Sequence, residues 1–170
     1  TSQRNVYHKY YNLFCNPLLW FLQHYMWNSP YTPNIDAKVY DAWDNGYVAV
    51  NRAFAEAIIA EAANDRMPQF IMIHDYQLYL VGGYVRRSMP NAILQHFVHV
   101  PWPASSYWQL FPDPVRKAIL KSLCATDIVG LQTNQDVHHF LHSCEMFLDE
   151  AEVDYATHTV VHEGHKTRVA

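Results

Sequence analysis

Three short apolar runs, at residues 69–74, 92–99 and 127–132, are separated by stretches whose apolar residues recur every three or four positions. Short strands alternating with helices are the signature of a parallel sheet, because each crossover returns the chain in the same direction. The pattern therefore predicts an α/β fold, with a mostly parallel sheet flanked by helices. Helices are read over 79–88, 114–123 and 135–148, the last with Asn134 as its cap. Upstream, Tyr11, Phe14, Leu18, Phe21, Leu22 and Tyr25 predict an amphipathic helix over 10–25 in spite of Pro17, ended by a proline-containing loop at 29–33. Val39, Trp43, Tyr47, Val50, Phe54 and Ile58 predict one helix over 35–63, or two joined near Gly46, with Asp36 near the start. The tail, 157–170, reads as two strands around Glu163-Gly164-His165-Lys166.

A chain of 170 residues makes about one domain. Twelve basic against sixteen acidic residues give a net charge of −4, which leaves no basic face for nucleic acid or an anionic membrane. Charged residues make up 16%, below the roughly 25% of an ordinary domain. With 50% hydrophobic and 15% aromatic residues, the chain has more apolar surface than a free domain of this size needs, so further structure is expected to pack on it. Cys15, Cys124 and Cys144 are odd in number and lack CxxC spacing, so neither a disulfide framework nor a zinc ribbon is indicated, and a reducing cytoplasm fits. No run approaches the ~18 apolar residues of a membrane span, and no signal-peptide layout opens the sequence. The five glycines form neither GxGxxG nor GxxxxGKS/T, so any nucleotide chemistry must take part of its site from elsewhere.

In an open parallel sheet, ligands bind outside the carboxyl ends of the strands. Those ends are polar here: the first run leads into His74-Asp75-Tyr76-Gln77, the second into His99-Val100-Pro101-Trp102-Pro103, the third into Gln132-Thr133-Asn134. An ionisable group that follows a stiff apolar strand is held at the rim, as preorganised catalysis requires. Asp75 and His99 are the first candidates, and three parallel neighbouring strands would open both onto one edge. Each has a plainer alternative: Asp75 as a helix cap, His99 as a core histidine. Trp102 reads as an exposed-looking indole on a stiff loop, with an ordinary loop anchor as the alternative. The aromatics from Tyr7 to Trp27 fit a core stripe or a sugar-stacking surface. His138, His139 and His142 lack the acidic partner of a zinc helix and read as a solvated face.

Five ordered motifs carry a resemblance that covers nearly the whole chain. They are Tyr10-Tyr11-Asn12-Leu13-Phe14-Cys15-Asn16-Pro17-Leu18-Leu19-Trp20; Trp43 with Tyr47-Val48-Ala49-Val50-Asn51-Arg52-Ala53-Phe54-Ala55; Ile73-His74-Asp75-Tyr76-Gln77-Leu78; Phe97-Val98-His99-Val100-Pro101-Trp102-Pro103; and Asp127-Ile128-Val129-Gly130-Leu131-Gln132-Thr133. In order and spacing they resemble the trehalose-phosphate synthase family of retaining glycosyltransferases, built from two Rossmann-like domains in the GT-B arrangement. The resemblance implies that residues 1–170 form part of an N-terminal, acceptor-side domain, an incomplete Rossmann-like unit without the donor-binding C-terminal domain. It implies glucosyl transfer from UDP-glucose to glucose 6-phosphate, giving trehalose 6-phosphate and UDP, with the leaving diphosphate helping to deprotonate the acceptor and with no metal or other cofactor. By position, Tyr11 and Asp75 match acceptor-holding residues, His99 matches the histidine beside the donor glucose, and Trp20 and Val100 match positions that shape the acceptor pocket. Gln77 stands where many members have His, and Trp102 replaces a frequent Phe, which bears on acceptor identity. Relatives that make glucosylglycerol phosphate or couple cyclitols, and a noncatalytic sugar-phosphate sensor, stay open as alternatives. So do the donor nucleotide and assembly into a homo-oligomer.

Overall fold

The computed structural model describes residues 3–27, 30, 32–63, 67 and 69–170. The expected loop at 29–33 lies partly outside them, at Ser29 and Tyr31. The first helix, α1, runs without a break through Gln3–Tyr7, a wide π-type stretch at His8–Trp20 and a last turn at Phe21–Gln23, so it starts earlier than its apolar pattern. Pro17 lies inside the wide stretch. The second, α2, is also continuous, through Ala37–Ala42, a π-type stretch at Trp43–Val48 and Ala49–Ala62. Asp36 caps it, accepting from the amides of Lys38 and Val39. Of the two readings the single helix holds, and Gly46 marks a contact rather than a break. A Cβ there would meet the backbone N of Tyr10 at 2.6 Å, so glycine lets α1 and α2 touch.

The rest alternates as read, with two short elements that were not expected, a 3₁₀ turn (Tyr76–Leu78) and α4 (Ser105–Trp108): β1 (Phe70–His74), the 3₁₀ turn, α3 (Val81–Ser88), β2 (Ile93–Phe97), α4, α5 (Asp113–Leu123), β3 (Ile128–Gly130) and α6 (Asn134–Phe147). Then follow β4 (Glu152–Asp154), β5 (Thr159–His162) and β6 (His165–Val169). The six-stranded sheet has the order β1-β2-β3-β6-β5-β4. Its first four members are mutually parallel, with Phe70 opposite Ile93, Gln95 opposite Ile128 and Ile128 opposite Arg168. The last two pairings are antiparallel, β4 with β5 across the link at 155–158 and β5 with β6 across a two-residue turn at Glu163 and Gly164, both at positive φ, as in a type I′ hairpin turn.

Two expectations are corrected. The cap of α6 is Thr133, not Asn134. Its hydroxyl oxygen accepts from the Asp136 amide at 3.2 Å and its O–H donates to Asp136 Oδ2 at 2.7 Å, a reciprocal box that Asn134, one residue later, is too far along to form. Trp102 is fully buried rather than exposed. Its amide donates to Asp136 Oδ1 at 2.9 Å, its indole N–H donates to Ser143 Oγ at 3.2 Å, and its ring packs on Trp108 and Phe140. The prolines leave that loop few backbone donors, and the one at Trp102 is satisfied inward.

The main core joins α1, α2, α5 and α6 around Phe14, Tyr47, Tyr79, Trp102, Phe111 and Phe140. A smaller one joins α2 and α3 to β1 and β2 through Ala55, Ile73, Val81, Val85 and Leu94. On the opposite face of β1 and β2, Phe70, Met72 and Ile93 are exposed.

Candidate functional site

The carboxyl ends of β1, β2 and β3 meet at one rim. β1 ends at His74, and the next amide, that of Asp75, still pairs with Phe97 O at 2.7 Å. Asp75 then turns sharply, at φ 68° and ψ 175°, a region that glycine occupies and other residues avoid. The turn brings its carboxylate across to the neighbouring strand end, where Oδ1 accepts the His99 amide at 3.1 Å. His74 Nδ1 lies 3.0 Å from His99 Nε2, so the two imidazoles share one hydrogen. From β3, the Gln132 amide donates to His99 O at 3.1 Å. The structure thus brings Asp75 and His99 together on one edge, in a half-exposed setting. The cap alternative fails for Asp75, whose side chain caps no amide of the following turn, and the core alternative fails for His99, which is exposed.

The segment behind Asp75 is held from beneath by α1 and α2. Tyr47 O–H donates to Tyr76 O at 2.5 Å and its oxygen accepts the Tyr79 amide at 3.2 Å. Asn51, fully buried in α2, donates to Tyr47 O and Gln77 O and accepts the Leu80 amide at 3.0 Å. Tyr10 O–H adds a second donor to Gln77 O at 3.2 Å. Burial holds the Tyr10, Tyr47 and Tyr79 phenols well above the usual tyrosine range, so they stay protonated donors. Beneath Asp75, His96 is buried in β2, with Nε2 3.0 Å from Asp75 O, and burial pushes its pKa down to about 4.

The other expected residues sit less directly. Tyr11 is half-buried, stacked on Tyr7 at 5.6 Å, and near enough to Tyr76 to help raise that phenol to about 12, after burial and Cys15. Trp20 is half-buried over the His24 ring at 4.1 Å, and among the described residues no hydrogen bond or ring contact joins it to Asp75 or His99. Val100 is half-buried and packs on the main core. Sequence reasoning missed Tyr47, Asn51 and His96 as supports; a buried-position Asn inside an alanine-rich helix and a His inside an apolar strand were the available signals.

The histidines of α6 also depart from a purely solvated face. His138 is exposed, but His139 Nδ1 bonds Trp102 O at 2.9 Å and His142 Nδ1 bonds Ser105 Oγ at 2.9 Å, tying α6 to the loop after β2 and to α4. Among the described residues, no group of three or more His, Cys, Asp or Glu is placed to hold a metal ion. A cavity of about 530 Å³ lies at the opposite, amino edge of the sheet, lined in part by Tyr84, Arg86, Lys121, Cys124 and His162. Of its cations, Arg86 is paired with Asp127 at 2.7 Å and Lys121 with Glu163 at 3.1 Å, while Arg87 lies over the Tyr84 ring at 4.8 Å. We therefore place the candidate site at the polar rim.

The profile of Glycosyltransferase family 20 matches residues 1–170. The chain is 30% identical over 164 residues to validamine 7-phosphate valienyltransferase of Streptomyces hygroscopicus subsp. jinggangensis, covering 96% of this chain and 33% of that protein. It is 36% identical over 148 residues to a putative alpha,alpha-trehalose-phosphate synthase [UDP-forming] 100 kDa subunit of Schizosaccharomyces pombe, covering 87% of this chain and 16% of that one. Among solved structures, the Escherichia coli protein described as trehalose-6-phosphate bound with UDP-2-fluoro glucose superposes at a TM-score of 0.81 with 26% identity, over 100% of this chain and 34% of that one. An alpha,alpha-trehalose-phosphate synthase (UDP-forming) from Burkholderia xenovorans in complex with glucose-6-phosphate superposes at 0.80 with 25% identity, over 98% and 34%. The chain therefore spans about a third or less of the length of these relatives.

Proposed function

The chain belongs to glycosyltransferase family 20, the family of the trehalose-phosphate synthases, and on that premise we propose that it forms the acceptor-side part of an enzyme that transfers glucose from UDP-glucose to glucose 6-phosphate. The products are trehalose 6-phosphate and UDP, and the donor-gripping domain belongs to protein outside these residues. The observation that carries this reading is the pairing, on one edge of a parallel sheet, of the Asp75 carboxylate with the strand end bearing the His99 imidazole.

The division of labour follows from the donor and acceptor inventory. Asp75 Oδ1 is engaged by His99, while Oδ2 makes no hydrogen bond among the described residues and is available to a sugar hydroxyl. Tyr11 offers a phenol to the acceptor phosphate, and Trp20 and Val100 bound the acceptor pocket. His99, its ring anchored by His74, stabilises charge that develops as the sugar–diphosphate bond breaks. The leaving diphosphate takes the acceptor proton, so no metal or other cofactor is required, and the reaction proceeds in the cytoplasm with retention at the anomeric carbon.

The 30% identity to a validamine 7-phosphate valienyltransferase supports a second reading, in which the acceptor is a phosphorylated cyclitol amine. One assay separates the readings. Full-length protein with UDP-glucose should release UDP at about 1 per second or faster when glucose 6-phosphate is added, and His99→Ala should lower kcat by about 10²–10³. UDP release with validamine 7-phosphate but not with glucose 6-phosphate selects the second reading. Sugar-phosphate binding without turnover identifies a noncatalytic sensor instead.

A further inference from the structure

His96 is an unexpected residue for its place. It lies in β2 on the same face as Leu94 and Val98, all three fully buried, where an apolar side chain would fill the space without cost. One of its nitrogens, Nδ1, is buried with no hydrogen-bond partner among the described residues, which is unfavourable. The other, Nε2, faces the carbonyl of Asp75 at 3.0 Å. A carbonyl only accepts, so Nε2 carries the hydrogen, Nδ1 is bare and the ring is neutral. Burial, by holding the imidazole neutral, keeps that tautomer through the neutral pH range.

The carbonyl it holds belongs to the residue with the strained backbone. Asp75 sits at φ 68°, where the surrounding structure must over-determine the conformation if it is to persist. Three contacts do so: the Asp75 amide to Phe97 O at 2.7 Å, the Leu78 amide to Asp75 O at 3.3 Å, and the His96 ring to the same oxygen at 3.0 Å. The first two are backbone contacts available to any sequence. We infer that His96 is a positioning residue, whose Nε2–H pins the Asp75 peptide in its strained turn and so aims the Asp75 carboxylate at the His99 amide and the acceptor. The ring itself is covered, beside Tyr79 at 5.4 Å, and touches no substrate. The consequence for acceptor use rests on the function proposed above; the positioning does not.

The test compares variants that lack the donor, His96→Leu and His96→Phe, with His96→Gln, which restores an N–H near the position of Nε2. In the full-length protein, hydrogen exchange at the His99 amide reports whether the Asp75 carboxylate is still in place. It should quicken by about tenfold or more without the donor and stay within about threefold of wild type in His96→Gln. For glucose 6-phosphate, kcat/KM should fall by about tenfold or more without the donor and recover in His96→Gln, with the KM for UDP-glucose within about twofold throughout. Wild-type exchange at His99 in either donor-free variant overturns the inference. So does His96→Gln exchanging as fast as the donor-free variants, which would make the ring a packing element only. If exchange changes as expected while wild type makes no use of glucose 6-phosphate, the positioning stands and the proposed function falls.

Discussion

Asp75 combines a strained backbone with a carboxylate in the candidate site, and the two can be separated by substitution. Replacing alanine by glycine ordinarily destabilises by about 0.4–1 kcal/mol through the unfolded chain. At φ 68° the order should reverse, because glycine alone occupies that region without strain. Asp75→Gly is therefore expected to be more stable than Asp75→Ala by about 1 kcal/mol or more, read from denaturant midpoints. Both variants lose the carboxylate, so in the full-length enzyme both should lose acceptor use by about 10² or more. Equal stabilities would show that the turn is unstrained, and near-normal kinetics in both would remove Asp75 from the site.

The turn after β1 depends on α2, and Asn51 is the residue that links them. Its amide makes three hydrogen bonds, two of them to backbone groups of the turn segment, Gln77 O and the Leu80 N–H. Asn51→Leu removes all three and leaves buried groups unpaired, so it should cost about 2–4 kcal/mol. Thr133→Val, by contrast, removes one cap from α6 and should cost about 1 kcal/mol. Urea denaturation of both variants checks the ranking, and a Thr133→Val effect equal to that of Asn51→Leu would contradict it. The longer helices were legible from apolar period, with Asp36 near the start of α2, but the short α4 was not. The wide π-type stretches and the Thr133 cap were not, because a period of three or four does not distinguish adjacent turn widths, and two neighbouring polar residues compete for one cap.

For the whole molecule, the buried histidines are expected to contribute to the acid limb of stability, alongside the depressed carboxylates Asp41, Asp154 and Glu163. His96 and His162 both titrate below their ordinary range, each chiefly because burial disfavours the charged ring. Between about pH 6.5, where the unfolded ring gains its proton, and about pH 4, where folded His96 does, the unfolded state binds more protons, so stability rises with pH. On acidification from pH 7 to 4.5 the protein should lose up to roughly 3 kcal/mol through His96 alone. His96→Leu should flatten that limb, and an unchanged slope would show that His96 is not the source. The second expectation at this scale concerns activity. The chain covers about a third of its solved neighbours, and on the proposed function the binding energy that orients the donor would be shared with protein beyond it. The 170-residue chain alone should release UDP far more slowly than about 1 per second; turnover at that rate would place the whole site within these residues.

Local pattern carried the parallel core of this fold: short apolar runs between helical periods require β1, β2 and β3 to lie side by side, and so bring Asp75 and His99 to one rim. Net charge and composition were legible for the same kind of reason, since they sum over residues without needing their positions. Tertiary structure alone decided the inward burial of Trp102, the short polar strand β4, and the supports Tyr47, Asn51 and His96. Each of these depends on partners 20 or more residues away in the chain, or on a ladder neighbour rather than an apolar run of its own. A residue's type shows which bonds it can make; which of them it does make is set by what the fold brings within about 3 Å of it.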